Sequence, residues 1–360
     1  MSRGTKRSHS KVGDTRLHKA VRKNNWTAVS KLIDDGASVD ARDENGRTPL
    51  HVAASNKNLG ILKLLIKKGA NLEAKNEHGR TPLFNSNDIY INKLEIAEEL
   101  IAAGADVNTP DNYGNTFLSQ EAEDGNKKMV ELLIKNKADL NLGVPLYKSL
   151  EFDKVETAKL LINAGADVNL NIPLKLVVEL QYEDMQEITK LLIEKGADVN
   201  AHDPEQEEGR AALHDAVKWN NFEFAESLLK YGANVNIKDA NAWTPLHYSV
   251  YTHGDDDLDQ DEVMRIVKLL VKNGMNVNAR NNEGNTALHI AAKIDDRIFA
   301  IYLVEEAGAD VTIRDSNGNL FYQLYRNEES RRLLLMLYNQ YESRFLSRQF
   351  GRDTAGVLKY

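Results

Sequence analysis

Short apolar segments alternate with polar turns along most of the chain. In one stretch, Thr48 and Pro49 precede a small, apolar segment (52–54) and then a leucine-rich run (62–66). Threonine can cap a helix and proline fits its first turn. Gly69 stands where the second helix would end in the left-handed conformation that glycine adopts cheaply. The pattern therefore predicts two short helices followed by a polar turn.

The same pattern returns at a nearly constant spacing. Pro49 and Pro82 are 33 residues apart, and similar helix starts follow at Ala211, Thr244 and Thr286. Each later copy has a Leu-rich second segment and then a unit of the type Gly-Ala-Asp-Val-Asn. One such copy cannot bury its apolar faces alone, so stacked copies must share one core.

The repeated T-P-L-H and G-A-D-V-N motifs resemble those of the ankyrin repeat family. The resemblance covers residues 13–325, and a divergent last copy extends it to about 345. It implies an all-α solenoid of stacked helix-turn-helix units with short β-hairpin loops, between a basic tail (1–12) and a C-terminal tail (346–360). Ten repeats are predicted, beginning near Gly13, Gly46, Gly79, Gly114, Gly143, Asn171, Gly209, Ala242, Gly284 and Gly318.

The resemblance also assigns a structural role to the motif histidines. In the family these side chains help to join neighbouring repeats by hydrogen bonds, so metal binding is the weaker interpretation. The histidines concerned are His51, His214, His247 and His289.

Several segments depart from the repeat. The spacing falls to 28 residues on either side of Pro145, which predicts shortened hairpins near 140–145 and 168–173. The shortening has two alternative explanations, namely ordinary divergence of the repeat or a gap that shapes a binding surface. Acidic insertions occur at 202–209 and 252–262. The second has a weak calcium-loop pattern, and a solvated loop is the better interpretation.

The aromatic residues outside the motifs allow two interpretations. Trp26, at the start of a second helix, is expected in the core. The last predicted helix (329–350) is expected to be a cap with a polar outer face. Alternatively, its aromatic residues dock a partner; these are Tyr338, Tyr341, Phe345 and Phe350.

Composition excludes several classes of function. The 360 residues contain no cysteine, which excludes disulfides and thiolate chemistry and fits a reducing compartment. No nucleotide-binding or hydrolase motif is present, so we expect no catalysis, no cofactor and no metal. The longest apolar run (333–337) is too short to span a membrane. We expect a cytoplasmic monomer.

Charge is unevenly distributed along the chain. Residues 1–25 carry eight basic residues and one acidic residue, a net charge of +7, whereas residues 201–262 carry fourteen acidic and four basic residues, a net charge of −10. The acidic stretch argues against a nucleic-acid groove. It favours a basic protein partner.

By the resemblance, partners bind the concave face, which consists of the hairpin tips and the exposed ends of the first helices. Trp219, Trp243 and Tyr251 fall there within the acidic stretch, and exposed aromatic residues often dominate binding energy. An aromatic and acidic patch for a basic segment is therefore predicted; the alternative is that the tryptophans pack between repeats. The other candidate contacts are Glu44, Asn45, Arg47, Glu77, His78, Arg80, Asn112, Tyr113, Lys218, Asn241, Asn282 and Glu283.

The sequence thus predicts a non-catalytic protein-interaction scaffold. Two alternatives use the same surface: a secreted, viral or symbiont effector that engages host proteins, and an inhibitor that occludes a partner enzyme. The resemblance further implies that Asn108, Asn169 and Asn200 occupy a position that can be hydroxylated in eukaryotic members.

Overall fold

The structure is a computed structural model. It describes residues 15–56, 58–85, 93–180, 185–202, 208–253 and 260–350, without the side chains of 185, 253 and 343–350. The predicted basic tail and parts of both acidic insertions (203–207 and 254–259) lie outside the described residues. The chain divides into an N-terminal unit, Met1–Asn171, and a C-terminal unit, Ile172–Tyr360.

The N-terminal unit consists of short helices in which first helices stack on first helices and second helices on second helices. The helices are α1 Arg16–Arg22, α2 Trp26–Asp34, α3 Pro49–Ser55, α4 Leu59–Lys67, α5 Lys93–Ala102, α6 Phe117–Asp124, α7 Lys127–Lys135, α8 Pro145–Glu151 and α9 Val155–Ala164. The contacts of α1 with α3 and of α6 with α8 illustrate the row of first helices, and those of α2 with α4 and of α7 with α9 illustrate the row of second helices.

The C-terminal unit repeats this arrangement. The elements are α10 Pro173–Leu180, α11 Met185–Glu194, α12 Ala212–Lys218, α13 Phe222–Lys230, α14 Pro245–His253, α15 Gln260–Lys272, α16 Ala287–Lys293, α17 Arg297–Glu305, the 3-10 helix Phe321–Leu324 and α18 Glu328–Phe350. The first helices stack in the order α10, α12, α14 and α16, and the 3-10 helix follows α16. The predicted all-α solenoid class is confirmed.

The turns between helix pairs fold back sharply without forming a sheet. In the described residues there is no strand, and the isolated bridges are His202 with Ala211 and Arg314 with Leu320. A typical turn is closed by the Asp43 N–H, which donates to the Arg47 carbonyl at 2.9 Å. Gly69 has φ +78°, as its position predicted.

The motif histidines join consecutive repeats. His51 Nδ1 accepts from the Thr48 N–H at 3.1 Å, so its Nε2 carries the proton and donates to the Arg80 carbonyl at 2.9 Å. His247 uses the same geometry toward the Asn285 carbonyl at 3.1 Å. Both side chains are buried. This confirms the structural interpretation of these histidines.

One prediction about exposure is wrong. Trp26 is 53% exposed, because side chains at a helix start project toward the N-terminus and extend past the packed face where Val29 is buried. The outer face of α18 is mixed: Arg331 and Arg332 are exposed, and so are Leu333 and Met336, whereas Leu334 turns inward and is buried. The consecutive apolar residues of this segment cannot all face one side of a helix.

Candidate partner-binding groove

A tight turn in the C-terminal unit positions Trp243. The buried Asp239 carboxylate accepts from the backbone N–H groups of Asn241 at 2.8 Å and Trp243 at 2.7 Å. Its second oxygen accepts from the Tyr248 hydroxyl at 2.7 Å. Asp239 therefore fixes the turn to α14, and its charge is used within the fold.

Three aromatic rings lie together after this turn. The centroid of Trp243 is 5.3 Å from that of Tyr248 and 6.2 Å from that of Tyr251. Tyr251, on the outward face of α14, is 64% exposed. Such tilted and edge-on contacts hold aromatic rings in defined orientations. Trp243 is half-buried.

Trp219 approaches the same place from the neighbouring helix. It is the C-terminal cap of α12 and is 49% exposed. Lys218 Nζ lies 5.6 Å from the centroid of its ring and 4.0 Å from a Glu208 carboxylate oxygen. Burial, followed by the nearby positive charge of Arg210, lowers the pKa of Lys218.

These side chains border a groove of about 690 Å³. This volume is in the range of cavities that hold a small ligand or a few side chains. Seven of the predicted contacts line it, namely Lys218, Trp219, Asn241, Trp243, Tyr251, Asn282 and Glu283. The structure thus brings together the two tryptophans that the sequence placed in adjacent repeats.

Five further residues complete the groove; four were missed from the sequence, and the fifth, Thr252, follows Tyr251 at a helix end where partner contacts were expected. Tyr248 follows a motif histidine, and its exposure depends on how α14 packs. Glu208 belongs to an acidic loop whose position no periodicity fixes. The missed residues are Glu208, Asp239, Tyr248 and Asn281.

The rim carries carboxylates that are partly balanced by cations. Glu283 accepts from Lys293 Nζ at 3.0 Å and from the Asn285 side chain at 2.7 Å. The hydrogen bond with Lys293 lowers the pKa of Glu283, so this carboxylate is ionised at neutral pH. Glu208 pairs with Arg210. Among the lining residues, three carboxylates face one ammonium group.

The remaining predicted contacts lie on the turns of the N-terminal unit. Successive tips are joined by backbone hydrogen bonds: the Glu77 N–H donates to the Asn45 carbonyl, and the Asn112 N–H donates to the His78 carbonyl. Tyr113 is 75% exposed. Glu44 is exposed and the half-buried Arg47 and Arg80 pair with Asp43 and Asp111, respectively.

No described helix is both long and apolar enough to cross a membrane. Within the described ranges, no cluster of three or more histidine and carboxylate side chains has the arrangement of a metal site. The aspartates 255–259, which carried most of the weak calcium pattern, lie outside those ranges.

Family models described as ankyrin repeats match most of the chain. A three-copy model matches residues 4–86, 87–172 and 174–259, a many-copy model matches 270–324, and a single-repeat model matches 241–282. The matched residues include helix pairs of both units.

Individual relatives share the repeats over part of their length. Mouse inversin is 26% identical over 65% of this chain, the Arabidopsis thaliana E3 ubiquitin-protein ligase KEG is 30% identical over 31%, and a fowlpox virus ankyrin repeat protein, FPV222, is 34% identical over 29%. The matched regions span 19%, 6% and 13% of those proteins, respectively.

Proposed function

The chain belongs to the ankyrin repeat family, and we propose from this premise that its C-terminal unit binds a basic segment of a protein partner in the aromatic groove. Ankyrin repeats imply a role in protein–protein interaction. The finer assignment, to this groove and to a basic partner, is our proposal.

One observation carries the proposal: Trp219, Trp243 and Tyr251 border a single groove and keep much of their surface accessible. Repeats pack through small and aliphatic side chains, so their packing does not require these three aromatic rings. Exposed tryptophan and tyrosine at the centre of a concave surface are the residue types that most often dominate binding energy.

The charge of the groove favours a basic partner. Among the lining residues, the rim carboxylates Glu208 and Glu283 stand with one ammonium group, that of Lys218, whereas the charge of Asp239 is used by the turn. The surrounding stretch 201–262 has a net charge of −10. Complementary potentials steer association and disfavour acidic competitors.

The same groups argue for binding rather than catalysis. Asp239 is held by backbone N–H groups and Tyr248, and Glu283 by Lys293 and Asn285. Glu283 is ionised at neutral pH and is therefore a poor proton donor, and the hydrogen bonds of Asp239 are used by the turn. We therefore propose a non-catalytic scaffold, monomeric and cytoplasmic, for which the lack of cysteine fits a reducing compartment.

Selection from a random peptide library displayed on phage tests the proposal with the full-length protein. Wild type, a Trp219→Ala/Trp243→Ala variant and a Tyr113→Ala control are used as baits. We expect basic peptides to be enriched on wild type and on Tyr113→Ala, and to be lost on the double variant.

Circular dichroism must show that the double variant keeps the helical content of wild type. Enrichment of the same peptides on the folded double variant would place the binding surface elsewhere and refute the assignment. Enrichment of neutral or acidic peptides that depend on the tryptophans would refute the basic partner alone. An enzyme later captured through such a peptide would be assayed for inhibition, which separates a scaffold from an inhibitor.

A further inference from the structure

Lys218 lies where a partner's cation would bind. Its ammonium group is 5.6 Å from the Trp219 ring centroid and 4.0 Å from Glu208. A cation over an indole face is attracted by the ring electrons, and tryptophan is the strongest aromatic acceptor of this kind. The protein therefore already places one of its own cations on the exposed ring that borders the groove.

The charged form of Lys218 is less favoured than the charged form of an ordinary surface lysine. Partial burial and the nearby Arg210 lower its pKa. Arg210 also pairs with Glu208 and with the buried Asp215, at 2.5 Å for the latter. Because Glu208 also pairs with Arg210, its interaction with Lys218 is long and weak.

Arginine suits this place better than lysine does. Guanidinium groups lie over aromatic rings elsewhere in this fold: Arg80 is 4.7 Å from the Phe84 ring centroid and Arg265 is 4.4 Å from that of Phe222. A guanidinium can stack on a ring and still donate to a carboxylate in its own plane. The groove offers both partners, since Trp219, Glu208 and Glu283 all line it.

We propose that the groove contains an arginine subsite formed by Trp219 and the rim carboxylates, and that Lys218 covers this subsite in the free protein and yields it to an arginine of the bound segment. Lys218 is then a specificity-determining residue, because a partner must supply a better cation than the one it displaces. This inference rests on the proposed function, but it can be wrong while the proposed function is right.

The first test uses the tryptophans as reporters. The full-length protein is labelled with fluorotryptophan, and the fluorine NMR signals of Trp26, Trp219 and Trp243 are assigned with single Trp→Phe variants. The probes are flexible glycine- and serine-rich peptides with one central arginine, lysine, citrulline or leucine. Citrulline keeps the shape of arginine without its charge.

We expect the arginine peptide to shift the signals of Trp219 and Trp243 and to leave the exposed Trp26 unchanged. The lysine peptide should bind about threefold to tenfold more weakly, because lysine lacks the planar donors of arginine, and the citrulline peptide weaker still, because citrulline lacks the charge. Equal shifts with citrulline would overturn the subsite. Equal shifts at Trp26 would also overturn it, because they would indicate nonspecific contact with exposed indoles.

The second test removes the covering cation. Lys218→Ala should tighten the arginine peptide about threefold to fivefold, since the displaced cation–π contact no longer has to be replaced. Lys238→Ala is the matched control: Lys238 is exposed in the same unit, bonds the Arg280 carbonyl at 3.2 Å and does not line the groove. It should change the affinity less than twofold, by the screening of surface charges.

The outcomes separate the two proposals. If Lys218→Ala weakens arginine binding, or acts no differently from Lys238→Ala, Lys218 does not cover the subsite. If displayed peptides require Trp219 and Trp243 but show no arginine preference, the groove binds a partner and the arginine subsite is wrong. If their binding survives the loss of both tryptophans, the proposed function itself fails.

Discussion

The turn tips of the N-terminal unit and the groove of the C-terminal unit use one scaffold for different surfaces. In both, an Asp side chain accepts from backbone N–H groups of a turn: Asp111 from Tyr113 and Asn115, and Asp239 from Asn241 and Trp243. In the N-terminal unit Tyr113 stands exposed without an aromatic contact of its own in the described residues. In the C-terminal unit Trp243 contacts Tyr248 and Tyr251 and borders a groove.

The comparison separates residues that build the repeat from residues that define its surface. The motif histidines recur because each donates a hydrogen bond to a backbone carbonyl of the next repeat. The positions at the tips and helix ends are free to vary, so function depends on which side chains occupy them. If the scaffold is equivalent in the two units, substitutions in its interior should act alike in both, whereas substitutions on the binding surface should not.

The largest expected effect concerns a buried ion pair that each unit contains. Lys93 pairs with the fully buried Glu121 at 2.5 Å, and Arg210 pairs with the fully buried Asp215 at 2.5 Å. Burial raises the pKa of both carboxyl groups. Removing one cation leaves a buried carboxyl group without its main partner, so Lys93→Ala and Arg210→Ala should each lower the free energy of unfolding by about 3–5 kcal/mol.

Urea unfolding followed by tryptophan fluorescence can report each unit separately. A Trp219→Phe/Trp243→Phe background leaves Trp26 as the reporter of the N-terminal unit, and a Trp26→Phe background reports the C-terminal unit. Lys127→Ala, in the exposed pair with Glu156, is the control and should change the free energy by less than about 1 kcal/mol. A small effect of Lys93→Ala beside a large effect of Arg210→Ala would show that the units are not equivalent.

The second prediction concerns acid stability. Burial lowers the pKa of His247 to about 4, whereas an unfolded chain has a histidine pKa of about 6.5. The unfolded state therefore binds a proton first, so the stabilisation is complete above pH 6.5 and is lost as the pH falls toward 4. His247 should account for a loss of about 3 kcal/mol between pH 7 and pH 4.

His247→Gln tests the contribution of His247 to acid sensitivity, and the last repeat of the chain shows why glutamine is a suitable replacement. At the equivalent position of the last repeat, Gln323 Oε1 accepts from the Leu320 N–H at 2.7 Å. Glutamine can thus replace the hydrogen bonds without titrating, and the variant should show a flatter dependence of urea midpoint on pH. The exposed His78→Gln is the control. An unchanged slope in His247→Gln would show that other groups cause the acid sensitivity.

The third prediction concerns the difference between the surfaces. Trp243→Ala should weaken a selected peptide by about 2–3 kcal/mol, since a central tryptophan is the most common hot spot. Tyr113→Ala, at the corresponding tip of the N-terminal unit, should change the affinity by less than about 0.5 kcal/mol. Isothermal titration calorimetry measures both. Equal losses would mean that the bound segment contacts both units and that the comparison of surfaces is wrong.

The fold could be predicted from the sequence because the same motif recurs many times along the chain. Within that motif, Thr48, His51 and Gly69 each have a defined structural role. It placed Trp219 and Trp243 in the site because register carries over between repeats. It missed Tyr248 and Glu208, and it misjudged Trp26, because their exposure depends on side-chain direction and on a loop outside the periodicity. Nor could spacing show that Lys218 lies over the Trp219 ring.

The smallest expected effect concerns the two segments where the spacing shortens, of which the second, 168–173, includes the first two residues of the C-terminal unit. Val144 precedes Pro145 with φ +50°, and Ile172 precedes Pro173 with φ +51°. Branched side chains rarely adopt this left-handed conformation, whereas glycine adopts it at little steric cost. Val144→Gly should therefore be more stable than Val144→Ala, and Ile172→Gly more stable than Ile172→Ala, by about 1 kcal/mol in each case.

Comparing glycine with alanine at the same position cancels most of the lost side-chain packing and isolates the backbone term. Urea unfolding in the two tryptophan reporter backgrounds measures the difference for each unit. A difference of similar size at both positions would show that the units carry the same strain at their shortened turns. If alanine were as stable as glycine at Val144 but not at Ile172, the N-terminal turn would relax without strain, and only the C-terminal unit would retain this cost beside its groove-bearing repeats.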